Sequence, residues 1–400
     1  MLRYPEAGLT PMRTLASSIC ILALAGCSGG GGTTNTPSAC DGTEVASNDC
    51  ARALSLRQKD ELPPGRGNRY ADDETAATLG FHLFFSTELG SGTGCPTCHL
   101  PELAFTDRTS VSTGKNQGTR NAPTVFNAAR LHVIFWDGRA DSVWSQPLFA
   151  IENPDEMASS RLELAHLIAD TSALHDDYET VFGPLPDMTD WPLVGKPGDA
   201  AFDGLAAETQ NEVNRLAANA GKAFEAYERK NATGASLLDR FLGGDTAQLI
   251  PAAQRGLQVF LDQKCDSCHA GPLLSDEAFH DVGFPSLPDA VADLGRSQGI
   301  PVLKANVFNL DGPYADPGPG VPGDMPSDHA VPGAFRTPSL RNVTRTAPYG
   351  HDGALATLSE VLELHAPDTT EEERGNLLAF LQALNGDYPP APWNNWPLRQ

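Results

Sequence analysis

Positive charge is scarce in this chain. Its 400 residues carry 28 Lys and Arg against 51 Asp and Glu, a formal net charge of −23. Such a surface repels phosphate, which argues against nucleic acid as a partner. It suits a basic partner, or simply a solvated acidic face. Long apolar runs are also missing. The run within "MRTLASSICILALAGC", residues 12–27, falls short of the about 20 apolar residues that a membrane-spanning helix needs. No strong strand pattern is present either; "LHVIFW" is short and ambiguous, and no βαβ pattern occurs. These absences leave a chain that is mainly α with long loops, since it also holds 38 Gly and 32 Pro. The length suggests two domains, and a hydrophobic share of 40% is enough to build their cores.

The N-terminus is set apart from the fold. One basic residue followed by an apolar run makes residues 1–26 a signal peptide. Its ending, Leu-Ala-Gly-Cys, resembles a bacterial lipobox, which implies cleavage before Cys27 and lipidation of that cysteine. An ordinary secretory signal with a chance cysteine is the alternative. Met12 is the better start, because residues 1–11 lack signal character. Ser28 after the lipid site fits sorting to the outer membrane. "SGGGGTTNTPS" then forms a flexible tether, and residues 27–60 are assigned as tether plus a small loop. The expected location is the periplasm.

The eight cysteines divide cleanly. Cys20 leaves with the signal and Cys27 carries lipid. Cys40 and Cys50 close a small disulfide loop in an oxidising compartment, or stand as two surface thiols. Four remain, in "GCPTCHLPE" (94–102) and "KCDSCHAGP" (264–272). A structural zinc site usually keeps its cysteine pairs about 15–20 residues apart, far closer than these. A thioredoxin-type pair has no use for the histidine. Covalent haem uses all three residues: each thiol adds to a vinyl group and the histidine binds iron. Cys95, Cys98 and His99, then Cys265, Cys268 and His269, are therefore read as two haem c sites.

The surroundings of the motifs repeat. "GFHLFF" (80–85) answers "GLQVFL" (256–261), and "PTVFNAARLHVIFWDG" (123–138) answers "PSLRNVTRTAPYGHDG" (338–353). Pro, Asn and Asp-Gly fall at identical offsets, and Trp136 stands where the second copy has His351. The expected organisation is an N-terminal haem domain at 61–245 and a C-terminal one at 246–400. Residues 285–333 are read as an irregular Pro/Gly-rich loop. In "AETQNEVNRLAANAGKAFEAYERK", Val213, Leu216, Ala220, Phe224 and Tyr227 have helical spacing and predict a packing helix.

The order "RNAPTVFN", "FWDGRA", "ENPDEM", second haem motif, "FRTPSLRNVTRTAPYGHDG" resembles the bacterial di-haem cytochrome c peroxidase and MauG family over residues 70–390. The resemblance implies a peroxide-reacting haem held by His99 and an electron-transfer haem held by His269. It implies that Trp136 lies between the haems, that Glu156 is the distal carboxylate and Gln146 a distal glutamine, and that Asn121, Thr346 and Pro348 bind calcium. Glu152 is a nearby competitor of Glu156. The implied activity is reduction of hydrogen peroxide with electrons from a small cytochrome c or copper protein. A MauG-like oxidation of residues in a partner protein is the alternative, and a non-enzymatic di-haem electron carrier the third. A homodimer is compatible with each.

Two departures from the family pattern stand out. The family's displaceable histidine after the first motif is missing: residues 100–131 hold no histidine, and Lys115 is nearest its place. His132 and His82 are poor substitutes. An open first iron is the expectation. Fourteen residues after His351, where relatives carry Met or Tyr, stands His365, expected as sixth ligand of the second iron, with Met325 as the alternative.

Overall fold

The computed structural model describes residues 40–318 and 331–395. The signal segment, Cys27, the tether at 28–38 and Met325 lie outside the described residues. Within them run the helices α1 (Cys50–Ser55), α2 (Glu74–Phe85), α3 (Gln146–Glu152), α4 (Arg161–Asp170), α5 (Ser172–Phe182) and α6 (Ala200–Asp203). Then follow α7 (Ala207–Arg229), α8 (Leu237–Leu242), α9 (Pro251–Asp262), α10 (Arg296–Ala305), α11 (Leu358–His365) and α12 (Glu371–Gln382). One short antiparallel pair, β1 (Phe279–His280) and β2 (Phe335–Arg336), joins the loops of the second half.

Two helix pairs organise the molecule: α2 lies along α7, and α9 along α12. Glycine permits both approaches. A Cβ at Gly80 would come within 2.0 Å of Ala223 O, and one at Gly256 within 2.0 Å of Asn376 O. Capping fixes where the helices start: Asp73 accepts from Ala76 N, and Thr370 forms a capping box with Glu373. The five periodic residues of α7, Val213 to Tyr227, are all buried, as their spacing predicts.

Each pair carries its own apolar core. Phe81, Phe84, Phe85, Phe105, Phe126, Trp144, Phe224 and Tyr227 gather around α2 and α7. Leu257, Phe260, Leu261, Leu377, Phe380 and Leu381 gather around α9 and α12. Burying each such side chain contributes about 1.5–3 kcal/mol before the entropy of ordering is counted. The second core reaches back to Leu238, Phe241 and Leu242, ahead of the expected boundary at 246. It also takes in Cys40, Val45, Cys50, Ala53 and Leu56. The Cys40–Cys50 loop and the turn that follows it are therefore packed against the second core. Cys40 and Cys50 form a disulfide, and Arg52 ties the segment to Asp266, inside the second Cys-x-x-Cys-His turn, through Nε at 3.0 Å.

Locally the halves match. Asn127 and Asn342 both adopt φ 61°, and their Nδ2 groups donate to the same Thr233 Oγ1, at 2.9 and 3.2 Å. The bridge Ile134–Ala140 has its counterpart in Tyr349–Leu355.

Candidate functional site

Both Cys-x-x-Cys-His stretches form one turn of 3₁₀ helix, Cys95–Thr97 and Cys265–Ser267. The chain continues so that His99 N donates to Cys95 O at 3.0 Å and His269 N to Cys265 O at 2.8 Å. Each imidazole is then oriented by its Nδ1, which donates to a backbone carbonyl: Phe105 O at 3.1 Å for His99, Leu274 O at 3.0 Å for His269. This fixes the tautomer with the proton on Nδ1 and leaves Nε2 unprotonated, the form an iron ligand requires. Burial also holds both rings neutral, lowering His99 and pushing His269 down to about 4. All four cysteines are free and partly buried. Burial raises the thiols of Cys98 and Cys265 to about 11, and Cys95 further still. Two thiols and one bare Nε2 at each turn fit covalent haem. Cys268 also lies within 4.8 Å of ligand atoms of Asp276 and His280, but covalent haem would use that sulfur, and Asp276 already takes His280 Nε2 at 2.9 Å.

Near the first motif, the turn after α3 presents Glu156. Asn153 Nδ2 donates to its Oε1 at 2.7 Å, and no hydrogen bond among the described residues engages Oε2. The carboxylate faces the motif closely enough for its charge to act on Cys95, Cys98 and His99. The loop at 111–118 clamps this turn: Lys115 N donates to Glu156 O at 2.8 Å and Asn116 N to Asp155 O at 3.0 Å. Gly114 is required there, because a Cβ would sit 2.4 Å from Glu156 O. Gln146, the first residue of α3, is half-buried, and its amide makes no side-chain hydrogen bond among the described residues.

The competitors are engaged elsewhere. Glu152 forms a two-pronged ion pair with Arg161, both contacts at 2.7 Å. Lys115 is exposed and its ammonium donates to Ser91 O at 3.2 Å. His132 Nδ1 lies 2.7 Å from Glu277 Oε2, and His82 Nδ1 3.9 Å from Asp177.

Trp136 sits on the seam between the halves. Its indole Nε1 donates to Asn121 O at 3.0 Å, while Arg336 N donates to its carbonyl at 2.8 Å. Asn121 N in turn donates to His351 O at 2.8 Å. His351 is buried and stacks on Phe335, with centroids 3.9 Å apart at 13°. Asn121 Nδ2 donates to Thr109 O at 2.8 Å. Its Oδ1, and the carbonyls of Thr346 and Pro348, accept no hydrogen bond among the described residues.

In the second half, His365 ends α11 and faces His269, with ring centroids 6.5 Å apart and planes at 82°. Phe284 meets the same ring edge-on at 5.4 Å. Neither nitrogen of His365 has a hydrogen-bond partner among the described residues, and desolvation lowers its pKa.

Two groups of charged residues around the site escaped the sequence. Arg120 bridges Asp137 and Asp293, each at 2.7 Å, across the seam beside Asn121. Glu225 and Glu228 are buried in the last two turns of α7, and burial raises their carboxyls to about 7 and about 8. Glu228 acts electrostatically on Cys95. Only an acid pair at i, i+3 within an apolar face hinted at them.

Comparison with known proteins agrees with this geometry. The profile of the family described as "Di-haem cytochrome c peroxidase" matches residues 74–247. The cytochrome c551 peroxidase of Pseudomonas aeruginosa is 31% identical over 363 residues, covering 86% of this chain and 88% of that protein. The methylamine utilization protein MauG of Methylorubrum extorquens is 28% identical, covering 90% and 92%. The crystal structure of a MauG-like protein associated with microbial copper homeostasis matches with a TM-score of 0.59 and 25% identity, over 85% of this chain and 98% of that one. With both haem turns, their bare Nε2 ligands and these relatives in hand, the chain belongs to the di-haem cytochrome c peroxidase family.

Proposed function

We propose that this chain is a di-haem c-type peroxidase that reduces hydrogen peroxide to water, taking electrons from a small cytochrome c or copper protein. The observation that carries this reading is Glu156, a carboxylate with a free Oε2 held at a motif whose histidine has a bare Nε2. When bound, the haem at His99 supplies an iron that takes up peroxide oxygen, and the haem at His269 supplies a store for single electrons. The chain's own residues supply the rest. Glu156 takes the proton from the inner peroxide oxygen and returns it to the outer one, which departs as water. Asn153 fixes the carboxylate rotamer so that Oε2 does this work. Trp136, pinned by Asn121 at the seam, serves as the electron relay between the halves. Two protons and two electrons per peroxide give two waters.

Several finer assignments accompany this reading. The three oxygens of Asn121, Thr346 and Pro348, free of other hydrogen bonds, support a calcium site of hard oxygen ligands. The matched turns at Asn127 and Asn342 support two homologous haem halves joined by internal duplication. The Cys40–Cys50 disulfide supports export to an oxidising compartment, consistent with a periplasmic lipoprotein anchored through Cys27 in the outer membrane. Loss of labelled-lipid incorporation in Cys27→Ala tests that anchor.

One observation favours a second reading, oxidation of residues in a partner protein. Residues 111–118 hold no histidine to serve as a displaceable ligand. Lys115 is turned to Ser91, and the one side chain of this loop that reaches the motif, Ser112, meets the Cys98 thiol. Steady-state peroxide consumption with a reduced donor decides between them. Sustained turnover is the peroxidase outcome, and consumption only alongside a modified partner is the other.

A further inference from the structure

We propose that the second haem is held between two histidines, His269 and His365, with their rings crossed, and that this makes it a low-potential electron entry. The inference rests on the two-haem reading above. Its geometry is independent of any relative. A metal–imidazole bond measures about 2.0–2.1 Å, and a ring nitrogen lies roughly 1.2 Å from its ring centre, so two imidazoles across one iron have centroids roughly 6–6.5 Å apart. The rings of His269 and His365 are 6.5 Å apart. Closer packing would leave no space for a metal, and a wider gap would leave one bond unmade.

The remaining groups agree. His269 Nδ1 is tied to Leu274 O, which turns its Nε2 to the metal side. His365 has both nitrogens free of protein partners among the described residues. The capping box of Thr357 and Glu360 fixes the start of α11, which ends on His365. Phe284, edge-on at 5.4 Å and 79°, sets the plane of the His365 ring. That plane lies at 82° to His269.

Two consequences follow. Methionine ligation raises haem potential relative to paired histidines, so the donor is a one-electron carrier of lower potential than one serving a methionine-ligated haem. Crossed imidazoles donate π-density to two different iron d orbitals. Those orbitals become nearly equal in energy, and the ferric spin signal becomes strongly anisotropic.

The test uses the purified two-haem protein and its spectra, with peroxide turnover measured on the same samples. Wild type should show one low-spin ferric haem per chain with a single strongly low-field EPR feature, and no near-infrared sulfur-to-iron band. His365→Ala should lose that low-spin haem entirely. His365→Met should gain the sulfur band and a higher midpoint potential. Phe284→Ala should keep the haem low-spin but move the low-field feature. A sulfur band in wild type, an ordinary three-line rhombic signal, or an unaltered low-spin haem in His365→Ala would overturn the proposal. Paired-histidine spectra without peroxide turnover under any donor would overturn the peroxidase reading and leave the ligation standing.

Discussion

The two haem turns share their local hydrogen bonding and differ in what faces them. At the first, a carboxylate on a clamped turn stands near His99, and the His99 ring meets no other imidazole or aromatic ring among the described residues. At the second, an imidazole stands across from His269 at 6.5 Å. In the proposed reading, the first site receives a small oxygen ligand and moves its proton, and the second keeps its ligands unchanged while an electron passes. In that reading the motif only attaches the cofactor, and the residue brought to its opposite side decides the chemistry.

Deleting either attachment breaks the comparison most completely. Cys95→Ala with Cys98→Ala should remove one covalent haem and all peroxide turnover. Cys265→Ala with Cys268→Ala should remove the other haem and stop turnover fed by the donor. Haem counted on denatured protein checks both; two covalent haems after either change would end the assignment.

Next in size is the carboxylate. Glu156→Gln should slow peroxide cleavage by about 10²–10⁴-fold, the range for acid–base groups, at normal haem content. Glu152→Gln should not, because Glu152 is spent on Arg161. Gly114→Ala presses on Glu156 O and should cost up to about 10²-fold through misplacement alone. Rapid mixing with peroxide measures all three.

A third prediction sharpens the contrast in ligation. Fully ferric protein should react with peroxide within seconds, without prior reduction. A reaction that begins only after one-electron reduction would mean that some side chain does close the first site.

The smallest effect lies behind the first motif. Glu228 is protonated when folded up to about pH 8, whereas an unfolded glutamate ionises near 4.5. Between those values the native state holds the extra proton, so stability falls as pH rises through that window. Glu228→Gln should therefore stabilise the protein at pH 8, by a few kcal/mol at most, and hardly at pH 4. Thermal unfolding at the two pH values checks this; equal shifts at both would refute the buried, neutral acid.

Much of the site was legible because its chemistry is local. Attachment needs thiol, thiol and imidazole within five residues, and no tertiary contact alters that requirement. The packing face of α7 was legible from its period. Glu152 and Glu156 were not separable in one turn of sequence, because the difference is Arg161, which reaches Glu152 from the start of α4. The packing of residues 40–56 was not legible either, since Arg52 finds Asp266 more than two hundred positions away.

The sequence by itself determined the cofactor-bearing turns, the helical class and the residues eligible for each role, because these depend on residue type and short spacing. Only the tertiary structure decided which carboxylate is left free, which histidine confronts His269, and that a buried acid, Glu228, acts on Cys95. Those outcomes depend on distance and on removal from water, which are set when remote segments pack together.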